Sequence, residues 1–521
     1  MPRLPPRVPL AVAAGAAASS FTPSLVPTPV LVQGVVTGLA ATAGYALGVL
    51  LWWATAPLWR RAPAWLRHWG SLVALAVATV TLVVSVSLAH GWQRELAASV
   101  GLADPPPYDP LTVLGSAVAL LIGLVLVARG VRVLIRWIAG WLARRLPQWV
   151  AVVLASVLVL GMVSTVVQYV VEDRILSTVD ESFRVLNRQV RPELAVTADP
   201  LRSGGPGSPV DWHTIGRQGQ EFLALPEPAA AEGIRPVRVY VGVESVPDLD
   251  QRAELVVREL IRTGGFDRAV LCLVVPTGTG WVDPAAVTSL EELWAGDTAV
   301  ASLQYSYLPS WLSFLVDRQR VEEAGVALLT AVLRHWYRLP VDERPRLLLY
   351  GESLGSRGVE AALRDVPGAE AAVDGVLLVG PPNSNPVWSR LVRERDPGSP
   401  LLAPVVEQGR RIRFWAGPEA PGLDRTGDPW PDPIDHPRVL YLQHPSDPVV
   451  WWSPSLIWSE PAWVEERPAL TSAPPLRWRP VVTFFQVTGD LMFATEVPGG
   501  HGHNYAGQLE QAWEAVAPPD Q

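Results

Sequence analysis

Long apolar segments dominate the first third of the chain. Four of them have about the 20 residues that a helix needs to span a bilayer, and they cover residues 30–55, 71–91, 111–128 and 148–171. A shorter, Ala-rich run at 8–26 contains Pro23 near its end and is either a first membrane helix or a signal peptide. We favour the helix because four further apolar segments follow it. Residues 1–175 are therefore predicted to form an α-helical transmembrane domain of four or five helices.

The pattern changes at about residue 236, where short apolar runs begin to alternate with amphipathic stretches. Strands are predicted in the runs PVRVYVGVES, DRAVLCLVV, RPRLLLYG, DGVLLVG and PRVLYLQH. Continuous apolar strands separated by helices predict a mostly parallel sheet with helices on both faces, so residues 236–521 are predicted to form an α/β domain. Residues 176–235 include a Gly-, Pro- and Ser-rich stretch typical of a connector.

Charge is distributed unevenly along the chain. Only 18% of the residues are charged, below the roughly 25% that is usual in soluble proteins. Residues 1–175 contain 12 Arg and 5 acidic residues, a net charge of +7; since the whole chain is −8, residues 176–521 carry −15. Nucleic-acid binding needs clustered positive charge, so we expect no nucleic-acid partner. The first domain instead predicts the lipid bilayer as its partner.

Arginines concentrate in two of the predicted loops between the membrane segments. Residues 56–70 and 129–147 are Arg-rich, whereas 92–110 carries three acidic residues against one Arg. Positively charged loops tend to stay cytoplasmic, which places the first two loops inside and the third outside. We therefore expect a multi-pass protein of the cell membrane whose second half lies on the outer, periplasmic or extracellular, side.

The sequence predicts neither a metal nor another cofactor. The single cysteine, Cys272, lies in an apolar run and is expected to be a buried core thiol. One cysteine excludes intrachain disulfides and multi-cysteine metal motifs. The glycine-rich loop 276–281 matches neither a P-loop nor a dinucleotide-binding pattern.

A GxSxG motif provides the first candidate for chemistry. It reads Gly351-Glu352-Ser353-Leu354-Gly355 and lies between a predicted strand and a predicted helix. This strand–turn–helix setting exposes a serine hydroxyl as a nucleophile. The alternative is an ordinary strand–helix junction with an inert serine. The setting favours Ser353 as the nucleophile.

A serine nucleophile needs a base and an acid that orients the base. The order Ser, then Asp or Glu, then His selects Asp447, which follows a predicted strand, and a histidine in the Gly-rich loop GGHGHNY. We predict His503 as the base, with His501 as the alternative. Asp447 is also a plausible turn residue, because Asp before Pro is common in turns. Two histidines suggest a metal site only with a third ligand, and no third ligand is evident nearby.

The oxyanion of a tetrahedral intermediate needs two backbone N–H donors. Leu354, directly after the nucleophile, is predicted to supply one. The loop Pro276–Trp281 follows an earlier strand, and Thr277 and Gly278 are the candidates for the other. An ordinary Gly-rich turn is the alternative interpretation of this loop.

Six motifs connect the chain to a known family. FTPSLVP, PTGTGWVDP, QYSYLPSWLSFLVD, GESLGS, QHPSDPVVWW and GHGHNY occur in this order over nearly the whole chain. By these motifs the chain resembles bacterial membrane-anchored α/β-hydrolases, which combine a multi-helix N-terminal domain with a catalytic domain. The resemblance implies an α/β-hydrolase fold and a serine mechanism. Ser353, Asp447 and one of the two histidines match by position, but no substrate is implied.

The expected function is that of a membrane-anchored serine hydrolase, esterase- or lipase-like, acting on a small-molecule or lipid ester of the envelope. The alternatives are an acyltransferase on envelope lipids or glycans and a binding module that has lost catalysis. The apolar segment 306–317 is predicted either to line an acyl pocket or to pack as a core helix. The sequence leaves the natural substrate and the oligomeric state open.

Overall fold

The computed structural model describes residues 7–61, 63–169, 177–189, 194, 197–228, 233–308, 313, 318–416, 437–467 and 471–519. The chain forms two compact units. The helical unit comprises Met1–Val179, Pro454–Val464 and Ser472–Phe493, and the sheet unit comprises Asp180–Ser453, Glu465–Thr471 and Ala494–Gln521. This division differs from the predicted boundaries. Two segments from the predicted α/β domain group with the N-terminal helices, and most of the predicted connector groups with the sheet.

The N-terminal part of the helical unit consists of five helices, α1 to α5. They are α1 Arg7–Ser19, α2 Val30–Arg61, α3 Ala64–Ser99, α4 Pro110–Leu142 and α5 Gln148–Gln168. Within the described residues, four helices are long and apolar enough to cross a membrane: Val30–Pro57, His68–Ser99, Pro110–Leu142 and Gln148–Val166. The run predicted at 8–26 is helical as expected, but α1 has only 13 residues.

These helices extend beyond the apolar segments that predicted them. α4 continues to Leu142 and therefore includes Arg129, Arg132 and Arg136, which were assigned to a loop. α2 and α3 similarly take up most of the loop predicted at 56–70. Arg is a good helix former, so a charged residue marks the end of an apolar segment without ending the helix.

Glycines on α2 allow its neighbours to approach closely. A Cβ added to Gly44 would lie 2.7 Å from Ala16 Cβ of α1, and one added to Gly48 would lie 2.7 Å from Pro9 Cα. A Cβ on Gly38 would lie 3.0 Å from the carbonyl oxygen of Ala117 in α4. Small residues four positions apart are a common way to pack membrane helices, and α2 uses them toward two partners.

The later segments of the helical unit include the helices Ala462–Glu466 and Val482–Asp490. Asp490 is buried and accepts hydrogen bonds from the Leu25 N–H (3.0 Å) and from the hydroxyls of Ser24 and Thr28. Gln486 donates to the carbonyl oxygen of Thr22 at 2.7 Å. The turn between α1 and α2, which contains FTPSLVP, is therefore held by side chains from more than 450 positions later, since 490 − 28 = 462.

The sheet unit is built on seven strands among its described residues. They are β1 Val237–Val241, β2 Val270–Val275, β3 Thr298–Leu303, β4 Arg346–Glu352, β5 Val373–Val379, β6 Ile412–Trp415 and β7 Arg438–Leu442. Their order is β1-β3-β2-β4-β5-β7-β6, and every pair is parallel. The prediction of a parallel α/β sheet is thereby confirmed. Cys272 is buried in β2 as expected.

Helices follow most of the strands. The helices of the sheet unit are Ser177–Arg188 at its start, Arg217–Leu223, Leu249–Thr263, Pro284–Leu293, Arg318–Trp336, Leu354–Asp365, Ala369–Ala372, Pro386–Arg393, Pro448–Trp451 and Leu509–Val516. Parallel strands need such crossover connections. The carboxyl ends of β2, β4, β5 and β7 consequently lie at one edge of the sheet, where ligands bind in open α/β folds.

Candidate active site

The candidate nucleophile lies in a strained turn at the end of β4. Ser353 has φ 52° and ψ −126° and is the N-cap of the helix Leu354–Asp365. A non-glycine residue in this region costs of order 1–3 kcal/mol and persists only where the surrounding structure enforces it. The Ser353 N–H donates to the carbonyl oxygen of Val379 in β5 at 2.8 Å, which ties the turn to the sheet.

The two glycines of the motif are required by close packing. A Cβ on Gly355 would contact the carbonyl oxygen of Val275 at the end of β2, and one on Gly351 would lie 2.6 Å from the Gly355 carbonyl oxygen. The helix after the serine therefore begins directly against β2. Side chains at either position would push this helix away from the sheet.

Asp447 and His503 form a hydrogen-bonded pair. His503 Nδ1 lies 2.6 Å from Asp447 Oδ2, and both side chains are buried. Tyr505 Oη donates to the same carboxylate oxygen at 2.6 Å, while Asp447 Oδ1 accepts from the Val449 N–H at 2.8 Å. Three donors on one carboxylate stabilise its ionised form. A proton on Nδ1 leaves His503 Nε2 as the acceptor.

The glycine after β5 brings this pair to Ser353. Val379 binds the Ser353 backbone, and a Cβ on the next residue, Gly380, would contact His503 Cε1 and lie 2.7 Å from Nδ1. Gly380 also has φ 53°. The imidazole therefore packs on the backbone that holds the serine turn, so residues 353, 447 and 503 lie together at the carboxyl edge of the sheet.

His501 occupies a different position. It forms an isolated β-bridge with Asn504 and is partly buried, and burial lowers the pKa of its imidazole. Of the two histidines, His503 is the one hydrogen-bonded to Asp447.

His444, set aside in the sequence analysis, supports this loop. Its ring stacks on Tyr505 with centroids 4.0 Å apart, and its Nδ1 donates to the Gly502 carbonyl oxygen at 2.9 Å. Burial lowers its pKa and keeps it neutral.

The loop after β2 has only one of its two predicted donors available. The Thr277 N–H donates to the Trp281 carbonyl oxygen at 3.1 Å, which conflicts with the prediction of Thr277 as an oxyanion donor. Gly278 packs tightly against Leu308 and Ser313. Leu354 is the first residue of its helix, where N–H groups have no partner inside the helix. Leu354 and Gly278 are therefore the stronger candidates for the pair of donors.

A buried acidic group, missed by the sequence analysis, lies beside the nucleophile. Glu352 immediately precedes Ser353, is almost fully buried and accepts a hydrogen bond from Tyr350 Oη at 2.8 Å. Burial and then the nearby charge of Asp283 raise the pKa of Glu352 well above its usual value, and burial also raises the pKa of Asp283. Both shifts favour protonated carboxyls. The position between two glycines of the motif was the only sequence signal for Glu352.

Two other features complete the description of the site. Among the residues that the structure describes, no group of three or more His, Cys, Asp or Glu side chains is arranged to hold a metal ion. The segment 306–317, predicted to line an acyl pocket or pack as a core helix, falls mostly outside the described residues.

Comparison with known proteins identifies the class. Residues 237–521 match an α/β-hydrolase family, and residues 21–226 match the N-terminal region of an α/β-hydrolase family. The first match covers more than half of the chain, so the protein belongs to this α/β-hydrolase family, and membership supports a hydrolase-type function. No curated protein and no solved structure matches the chain.

Proposed function

We propose that this protein is a membrane-anchored serine hydrolase, esterase- or lipase-like, that cleaves a small-molecule or lipid ester through an acyl-enzyme. Ser353 is the nucleophile, His503 the general base, and Asp447 the acid that orients the imidazole. The observation that carries the proposal is the 2.6 Å pair of Asp447 and His503 packed beside a strained serine turn. Strain of this kind is characteristic of a nucleophile elbow.

In the proposed reaction, His503 Nε2 accepts the proton of Ser353 Oγ while this oxygen attacks the ester carbonyl carbon. The N–H groups of Leu354 and Gly278 donate to the developing oxyanion. The imidazolium then protonates the leaving alcohol, and a water molecule repeats the sequence on the acyl-enzyme. Asp447 stays ionised throughout, supported by its hydrogen bonds from Tyr505 and Val449.

The proposed anchor is the helical unit. Its four long apolar helices are compatible with a membrane anchor. Arg60, Arg61, Arg144 and Arg145 lie at or near the ends of these helices where α2 meets α3 and α4 meets α5, whereas Asp109 caps the start of α4 at the opposite end. Positive ends favour the cytoplasmic side, which supports a sheet unit on the outer side.

Labelling with a fluorophosphonate probe tests the chemistry on the full-length, detergent-solubilised protein. Wild type should label, and Ser353→Ala should abolish labelling. His503→Ala should reduce the labelling rate by at least about a thousandfold, whereas His501→Ala, its matched control in the same loop, should stay within a few fold of wild type. Labelling that survives Ser353→Ala, or that depends on His501 instead, would sink the assignment.

Cysteine accessibility tests the orientation, because the native Cys272 is buried and contributes little background. Glu343→Cys places a thiol on an exposed turn of the sheet unit, and Arg144→Cys places one at the Arg-rich end of α4. A membrane-impermeant maleimide should label Glu343→Cys in intact spheroplasts and Arg144→Cys only after permeabilisation. The reverse pattern would place the sheet unit in the cytoplasm.

A further inference from the structure

The helical unit contains a cavity that the proposed reaction does not use. It has a volume of about 380 Å³, within the roughly 300–1,000 Å³ of small-ligand sites. Hydroxyl groups, one indole and two guanidiniums line much of it, contributed by Thr22, Thr81, Ser85, Trp92, Arg477 and Arg479. The cavity thus combines positive charge with hydroxyl donors in an otherwise apolar bundle.

The two arginines are the distinctive feature of this cavity. Arg479 is partly buried and donates from Nη1 to Thr22 Oγ1 at 2.9 Å, while Arg477 is exposed. Burial and then the positive charge of Arg477 lower the pKa of Arg479, so the two guanidiniums are close enough to repel each other. Neither forms an ion pair with any acidic residue that the structure describes. An anion between them would relieve the repulsion and accept several charge-assisted hydrogen bonds.

The cavity spans a change of environment along α3. Thr81 and Ser85 belong to the apolar segment at 71–91, whereas Trp92 and Glu95 lie beyond it. At 1.5 Å per residue the cavity follows about 15 Å of helix between Ser85 and Glu95. Trp is enriched at the membrane–water boundary. This is the depth at which the headgroups of a bilayer lie, given the proposed membrane anchor.

We propose that this cavity binds the phosphate of a phospholipid headgroup, with Arg477 and Arg479 as its ligands and the acyl chains remaining in the bilayer. The inference rests on the membrane anchor of the proposed function and not on the serine chemistry. The shared chemistry is a phosphate, which either a lipid or a soluble phosphate ester supplies. Glu95, on the same cavity, would repel any further negative charge on the ligand.

Native mass spectrometry of the full-length protein, titrated with phosphatidylglycerol in detergent, measures this binding. Wild type should retain one lipid with higher affinity than the rest. Arg477→Gln/Arg479→Gln should weaken that retention roughly tenfold or more, since two charge-assisted contacts are lost. Arg94→Gln is the matched control, because Arg94 is exposed near the end of the same helix but does not line the cavity. Equal retention by the double variant and wild type would overturn the proposal.

Two further measurements separate the remaining outcomes. Arg477→Gln alone removes an exposed side chain and should still weaken binding if the double variant proves unstable; unchanged retention in this folded variant would count against the site. Glycerol phosphate should compete only weakly, because it lacks acyl chains, and competition as strong as that of the lipid would reassign the site to a soluble phosphate ester. Glu95→Gln should preserve or strengthen retention, whereas a loss would indicate a cationic ligand and overturn the assignment.

Probe labelling of Ser353 in the same variants keeps the two proposals distinguishable. None of the cavity substitutions touches the candidate active site, so the labelling rate should stay at the wild-type value. Lipid retention without labelling would leave the phosphate site standing while the serine hydrolase fails. Labelling without lipid retention would do the opposite.

Discussion

Tyr505 Oη and His503 Nδ1 donate to the same oxygen of Asp447, each at 2.6 Å. The phenol is fully buried, and burial together with the charge of Asp447 raises its pKa well above the usual value. Tyr505 therefore remains a donor at every pH at which the protein is folded. Its hydrogen bond fixes the carboxylate in the orientation that the imidazole requires.

Tyr505→Phe should slow the chemistry without abolishing it. A hydrogen bond to a charged group contributes about 1.5–3 kcal/mol, so we expect the maximal rate of fluorophosphonate labelling to fall roughly tenfold or more, with little change in the probe concentration at half-maximal rate. Tyr337→Phe is the control, because Tyr337 is exposed and donates to Gly368, away from the site. Equal labelling rates for Tyr505→Phe and wild type would show that Asp447 needs no third donor.

Gly380→Ala should disable the base sterically. The added Cβ would collide with His503 Cε1 and force the imidazole to move. A displacement of about 1 Å costs on the order of a hundredfold in rate, so the labelling rate should fall by about that factor.

Gly398→Ala separates this collision from backbone strain. Gly398 also has a positive φ, 83°, but a Cβ there meets nothing within 4 Å. Both variants should lose roughly 1 kcal/mol of stability, and only Gly380→Ala should lose labelling. Comparable losses of labelling in both would assign the effect to strain.

The sequence predicted the parts of this protein that depend on local pattern. Five strands were apparent as apolar runs, but β3 and β6 were missed. β3 reads TAVASL, in which Ala and Thr weaken the apolar signal, and β6 has only four residues. Both strands owe their place to pairing with neighbours distant in sequence, and pairing of this kind outweighs the weak local preference for strand.

The candidate site shows the same limit. Chain order was enough to suggest Ser353, Asp447 and His503 together. The contact between Glu352 and Asp283 and the attachment of Asp490 to the turn at 24–28 join residues far apart in sequence. Neither leaves a periodic signal, so neither was predicted.

Glu352 should make the stability of the protein depend on pH. Its folded-state pKa lies well above 4.5, so above pH 4.5 the folded state retains a proton that the unfolded state releases. Stability should therefore fall as pH rises from about 4.5 toward the folded pKa, by up to about 1.4 kcal/mol per pH unit. Glu352→Gln removes this proton and should flatten the decline in melting temperature between pH 5 and 8. Glu343→Gln, at an exposed position, should leave the decline unchanged; a decline equally steep in Glu352→Gln would assign it to other groups.

Glu291 and Arg238 form a buried ion pair that should be essential for the sheet unit. Both side chains are fully buried, and two hydrogen bonds of 2.6 Å join the guanidinium of Arg238 on β1 to the carboxylate of Glu291. Removing one partner leaves an uncompensated buried charge, so Glu291→Ala should destabilise the protein by about 3–5 kcal/mol. The neighbouring Glu292 is exposed, and Glu292→Ala should change stability by no more than about 0.5 kcal/mol. Thermal unfolding of the two variants in the same detergent measures the difference, and similar melting temperatures would mean that water reaches Arg238.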